Sequence, residues 1–139
     1  MTEAPSYTIS FYYRKILVPI DGSETSLRAL HVAVDIAQRY GSKVVVVYAK
    51  PKNTELGEDP IIKAKERLKE TPVNITYKYI EFDPRNDSAS SALLREILEE
   101  GYDLVVIGAR GKSLFGEINI GSTTLAVVVN APTSVFIVR

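Results

Sequence analysis

The stretch KILVPIDGSETSLRALHVAVDIAQRYGSKVVVVYA, residues 15–49, decides the fold. Lys15 to Ile20 is an apolar run of strand length, with Pro19 near its end, where a lost N–H is tolerated. Asp21-Gly22-Ser23 is a turn. Ser23 has the side chain of a helix N-cap, and Glu24 suits the positive end of the helix dipole. A helix follows from Glu24 to Tyr40, with Leu27, Leu30, Val34 and Ala37 on one stripe and Ala33 and Ile36 beside it. Gly41 closes it, and Lys43 to Ala49 forms a second, almost wholly apolar strand. Two strands apolar on both faces, joined by an amphipathic helix, make a βαβ unit in a covered parallel sheet.

The chain downstream repeats that alternation. Lys50 to Glu58 reads as loop, and a charged helix runs from Pro60 through Glu70 with a narrow stripe of Ile61, Ala64 and Leu68. Val73 to Ile80 alternates like a strand nearer the sheet edge. Asp83 to Asp87 is a turn, and the next helix, Ser88 to Glu100, presents Ala89, Leu93, Leu94 and Ile97 and stops at Gly101. Asp103 to Ile107 is a fourth strand. Thr123 to Val129 has strand propensity in its three valines. A helix is the better reading, because Ser122 or Thr123 can cap it and Pro132 prevents its continuation. Ser134 to Val138 is the last strand. The order βαβαβαβαβ defines an α/β fold: a five-stranded, mostly parallel, doubly wound sheet of Rossmann-like type, with helices on both faces. Its ligand crevice belongs at the strand C-termini.

The expected organisation is one domain over residues 1–139, with a core from 14 onward and an N-terminal arm over 1–13. In the arm Tyr7, Ile9, Phe11 and Tyr13 share one face of an extended segment. That pattern suits either a strand added to a sheet edge or a loosely packed arm.

Composition narrows the functional classes. Lys and Arg number 17, as do Asp and Glu, so the basic excess of a nucleic-acid binder is missing. Without cysteine there is no disulfide, thiol catalysis or Cys-based metal site, and the single histidine, His31, rules out a His-rich cage. No apolar run reaches the roughly 18 residues of a membrane-spanning helix. The N-terminus has no secretory pattern, so a soluble cytoplasmic protein is expected.

The chemistry concentrates in Gly108-Ala109-Arg110-Gly111 and Gly121-Ser122, with nine residues between the two groups. Glycines allow close approach of a ligand, and clustered N–H groups ahead of a helix attract phosphate. Three familiar phosphate or nucleophile motifs do not match. Gly111-Lys112-Ser113 has the end of a Walker A loop, but Val106 stands where its first glycine belongs. The dinucleotide fingerprint is absent after the first strand, and there is no GxSxG elbow.

The pattern G-x2-G-x9-G-S, together with Ile16-Leu17-Val18-Pro19-Ile20-Asp21-Gly22-Ser23 at the other end, resembles the ATP-binding branch of the universal stress protein family over Lys15 to Arg139. The resemblance implies an adenine nucleotide alpha hydrolase-like fold that binds ATP, with Mg2+ accompanying the phosphates. It implies that Asp21, just beyond Pro19, lies against the adenosine moiety and that the backbone of Ala49 contacts adenine. Gly108 and Gly111 then border the ribose and phosphates, which Gly121, Ser122 and Thr123 receive at a helix start; the Arg110 cation either neutralises phosphate or is a solvated charge. It further implies a homodimer formed through the last strand and a role as a stress-response sensor or regulatory module, its downstream protein partner unspecified. The alternatives are a slow ATP hydrolase and a flavin- or adenylate-binding relative of the same fold. Against the hydrolase, only Glu117 in the glycine segment is a candidate to orient a water.

Overall fold

The computed structural model describes residues 13–55, 57–110 and 120–139. Strands β1 (Lys15–Pro19), β2 (Lys43–Pro51), β3 (Ile75–Phe82), β4 (Leu104–Gly108) and β5 (Ser134–Val138) alternate with helices α1 (Glu24–Tyr40), α2 (Pro60–Leu68), α3 (Ala89–Glu100) and α4 (Ser122–Asn130). The sheet order is β3-β2-β1-β4-β5, and all four pairings are parallel. The expected doubly wound α/β architecture is therefore present, with β1 at the centre. Among the described residues no helix is long and apolar enough to cross a membrane.

Helix bounds follow local signals. The Ser23 hydroxyl accepts the Ser26 N–H at the start of α1, and Gly41 ends that helix with φ 69°. Asp59 caps α2, with Pro60 in the first turn, and Ser88 caps α3. Several bounds move: β1 stops at Pro19 and not Ile20, β2 runs on through Lys50 and Pro51, which the sequence reads as loop, α2 stops at Leu68, short of Glu70, and β3 lies two residues later than its alternation suggested. Pairing to β2 sets the last, since Lys50 and Pro51 lie opposite Glu81 and Phe82. At α4 the N-cap is Gly121, not Ser122 or Thr123, and no side chain caps the helix. Of the N-terminal arm only Tyr13 lies within the described residues, its ring edge-on to Tyr40 at 5.3 Å.

The period-2 alternation of the strands divides the interior in two. Ile16 and Val18 of β1 point into one cluster with α1 and α2, where Leu27, Leu30, Ile61 and Ala64 meet them. Leu17 points the other way, to Leu93 and Ile97 of α3 and Val127 of α4. These central side chains are fully or almost fully buried, each contributing about 1.5–3 kcal/mol where a large apolar group leaves water.

One buried polar group stands out in the second cluster. Glu96 of α3 is 6% exposed. Its carboxylate accepts two bonds from the Lys78 ammonium at 2.8 and 2.9 Å and one from the Tyr102 hydroxyl at 2.7 Å. The network joins α3 to β3 and to the approach of β4, and burial with the adjacent carboxylate pushes the Tyr102 phenol far up. Glu96→Ala leaves the buried Tyr102 hydroxyl and the part-exposed Lys78 ammonium without their acceptor. Hydrogen bonds to a charged group are worth about 1.5–3 kcal/mol, and the partial exposure of Lys78 trims the loss. Urea denaturation of this variant is expected to show about 2 kcal/mol less stability with an unchanged m-value.

Candidate functional site

The C-terminal edge of the sheet opens between β1 and β4. β1 pairs with β2 along its whole length, up to Pro19 opposite Val47, but with β4 only at Ile16–Leu104 and Leu17–Val105. Backbone direction explains the asymmetry. The Asp103 N–H donates to the Lys15 carbonyl, so odd-numbered residues of β1 face β4. Pro19 is one of them, and its missing N–H removes a bond to β4 while costing nothing toward β2. Neighbouring strands belong to opposite windings at this point, the switch point where such folds place ligands.

Asp21 lies exposed just past the buried Pro19. Its carboxylate accepts the Ser23 N–H at 2.9 Å across a turn in which Gly22 has φ 87°, a conformation suited to glycine. The same carboxylate keeps further acceptor capacity. Ala49 sits on β2. The Ile20 N–H donates to the Val47 carbonyl, and the Lys43 N–H donates to Arg14, so odd-numbered residues of β2 face β1. The N–H and C=O of Ala49 therefore point to the β1 side, one step beyond the last ladder bond among the described residues.

Gly108 ends β4, and its role differs from simple access. A Cβ there would lie 2.9 Å from Cγ2 of Thr25 and 3.0 Å from the Thr25 backbone. The first turn of α1 fills that space. The Gly108 carbonyl accepts the buried Thr124 hydroxyl at 2.6 Å. The next carbonyl, Ala109, accepts the Gly121 N–H at 2.7 Å, while the Ala109 N–H donates to Val138. The two glycine groups are thus tied together at their base. Gly121 spends its own N–H on that tie and presents φ −71° at the N-cap. Ser122, Thr123 and Thr124 follow as the first turn, whose N–H groups have no acceptor within the helix. Arg110 is exposed at the start of the excursion. Gly111, Lys112 and Glu117 lie outside the described residues.

Sequence reasoning passed over three participants on this edge. Thr124 anchors α4 to β4, and its only signal was a hydroxyl in the Ser-Thr-Thr run. Asp59 accepts from the Ile61 N–H at 2.8 Å and from the Tyr79 hydroxyl, joining α2 to β3. Burial opposes ionisation of that carboxyl. The Tyr79 hydroxyl and the Ile61 and Ile62 N–H groups outweigh it, holding Asp59 below the usual aspartate range. The same bond, with burial, pushes the Tyr79 phenol up to about 12. Burial, with Asp59 and Asp21 nearby, raises the Tyr48 phenol as well. The third is Lys63, which donates to the Gly22 carbonyl.

These features define an open parallel α/β protein whose crevice joins a strand-end carboxylate, free-edge backbone groups and a helix start without a side-chain cap. The universal stress protein family model matches residues 12–139, and the chain belongs to that family. A Thermus aquaticus protein described as "universal stress protein in QAH/OAS sulfhydrylase 3'region" is 32% identical over 136 residues, covering 91% of this chain and 99% of its own. A crystal structure of a universal stress protein in complex with cAMP superposes with TM-score 0.71 at 25% identity, covering 92% of this chain and 98% of that one. The Archaeoglobus fulgidus universal stress protein in complex with dAMP gives TM-score 0.70 at 19% identity, covering 93% and 100%.

Gly108→Ala tests the contact with Thr25. Overpacking of this kind costs about 1–3 kcal/mol, so thermal unfolding is expected at a clearly lower temperature than for the parent chain. An unchanged melting temperature contradicts the close approach.

Proposed function

We propose that this chain binds an adenine nucleotide, ATP, across the β1–β4 crevice and acts as a stress-response sensor or regulatory module. The observation that carries the reading is the start of α4. Ser23, Asp59 and Ser88 cap the other three helices with side chains, whereas α4 begins at Gly121 with none. Its first-turn N–H groups suit an anion, and the dipole adds to the attraction. The nucleotide complexes of the two structural relatives support the same reading.

In this arrangement adenine meets the outward backbone groups of Ala49, and Asp21 accepts from the adenosine moiety. Pro19 forms the floor where β1 and β4 part. Gly108, Arg110 and Gly111 border the ribose and phosphates, and Gly121 leaves room for the phosphates to reach the N–H and hydroxyl groups of Ser122 and Thr123. Mg2+ enters with the phosphates of the nucleotide. The protein is read as a cytoplasmic single domain.

The same reading includes a homodimer through β5. That strand lies at the sheet edge, and Phe136 on it is 47% exposed. Leu125, Val128 and Val129 expose further apolar surface on α4. Neither element carries a charged residue, which leaves an edge without the usual protection against pairing.

Three measurements test the proposal. Calorimetric titration is expected to show binding of ATP and none of flavin mononucleotide; absence of ATP binding removes the claim. Gly121→Val, at a φ that any residue adopts, is expected to weaken ATP by about a hundredfold with the fold intact, because the new side chain occupies phosphate space. Sedimentation is expected to show a dimer that Phe136→Glu converts to monomer, the charge being buried in the interface without a partner.

A further inference from the structure

The first two turns of α2 hold the β1–α1 turn from outside. The Lys63 ammonium donates to the Gly22 carbonyl at 3.2 Å and lies 3.6 Å from the Glu24 carboxylate and 3.5 Å from that of Glu58. One turn further on, Arg67 reaches the same Glu24 at 3.1 Å. The Lys63 side chain is only 28% exposed. One of its donors is spent on the Gly22 carbonyl, and the two carboxylates hold the ammonium over that turn by charge. Gly22 is itself buried at φ 87°, and its carbonyl requires a partner there.

The turn that Lys63 holds is the one that aims Asp21. The Asp21 carboxylate takes the Ser23 N–H, and the Asp21 N–H donates to the Ser26 hydroxyl at 3.4 Å. Rotation of the Gly22 peptide would move Asp21 and Ser23 together. Asp59, the cap of α2, is bonded to Tyr79 of β3, so α2 is anchored on the sheet before it reaches across.

We propose that Lys63 is a positioning residue of the nucleotide site: it fixes the Gly22 carbonyl and thereby the direction of Asp21, without touching the nucleotide. The proposal rests on the nucleotide reading given above. Binding energy is greatest when the receiving groups are already in place, so loosening this turn weakens every ligand that Asp21 contacts, phosphorylated or not.

The test compares Lys63→Met and Lys63→Arg with the parent chain, using ATP and adenosine as probes in calorimetry. Amide signals of Gly22 and Ser23 in the ligand-free proteins are followed in parallel by NMR. Lys63→Met is expected to lose about tenfold in affinity for both probes alike, the size of one hydrogen bond to a charged group. Lys63→Arg, which keeps the charge and the donors, is expected to recover most of that loss. The Gly22 and Ser23 amides are expected to shift in the methionine variant and to return in the arginine one. Parental affinity in Lys63→Met overturns the proposal. A loss confined to ATP also overturns it, because Lys63 is then a direct phosphate contact. Should the parent chain bind neither probe, the nucleotide reading fails by itself, and the clamp is judged on the amides: unchanged Gly22 and Ser23 signals overturn it, shifted ones support it. If Lys63→Met does not fold, Glu24→Gln with Glu58→Gln loosens the same ammonium and takes its place under the same criteria.

Discussion

β1 is the centre of the sheet, and at its last residue it remains bonded to one neighbour only. Pro19 has no N–H to give β4, while the even-numbered residues of β1 go on serving β2 through Ile20. A central strand would ordinarily be held on both sides to its end. Here the missing donor lets β1 and β4 part, and the groups on either rim belong to helices on opposite faces. Asp21 and the start of α1 stand on one rim, Gly108 and the start of α4 on the other.

The gap is held open by contacts at Gly108. The first turn of α1 presses on its Cα from one face, at distances that exclude a Cβ. From the other face the Thr124 hydroxyl of α4 bonds its carbonyl. Two helix N-termini, more than 90 residues apart in the chain, thus converge on one strand end. The orientation of α4 comes from a buried threonine and the Ala109–Gly121 bond, which leaves the N–H groups of its first turn without a side-chain acceptor.

Most of the architecture was legible because its signals are local. Ser23 with Gly41, and Ser88 with Gly101, bound α1 and α3 through bonds spanning a few residues. The unbroken apolar runs of β1, β2 and β4 announced a sheet covered on both faces. What escaped was set by distance. The start of β3 depends on its register with β2, which alternation alone does not contain. Gly108 could be read as an open approach because nothing in its neighbourhood names Thr25. Nothing near Glu96 in the sequence separates it from the other carboxylates of α3, since Lys78 and Tyr102 meet it only in the fold, and nothing near Lys63 names Gly22. In each case the meaning of a residue lies in a partner brought by the fold.

The bond from the Gly121 N–H to the Ala109 carbonyl closes the ends of the excursion that begins at Arg110. With Thr124 also bonded to the Gly108 carbonyl, the end of β4 and the start of α4 form a two-point staple. A helix fastened at two successive residues of a strand end cannot turn about its own axis without breaking one of the two bonds.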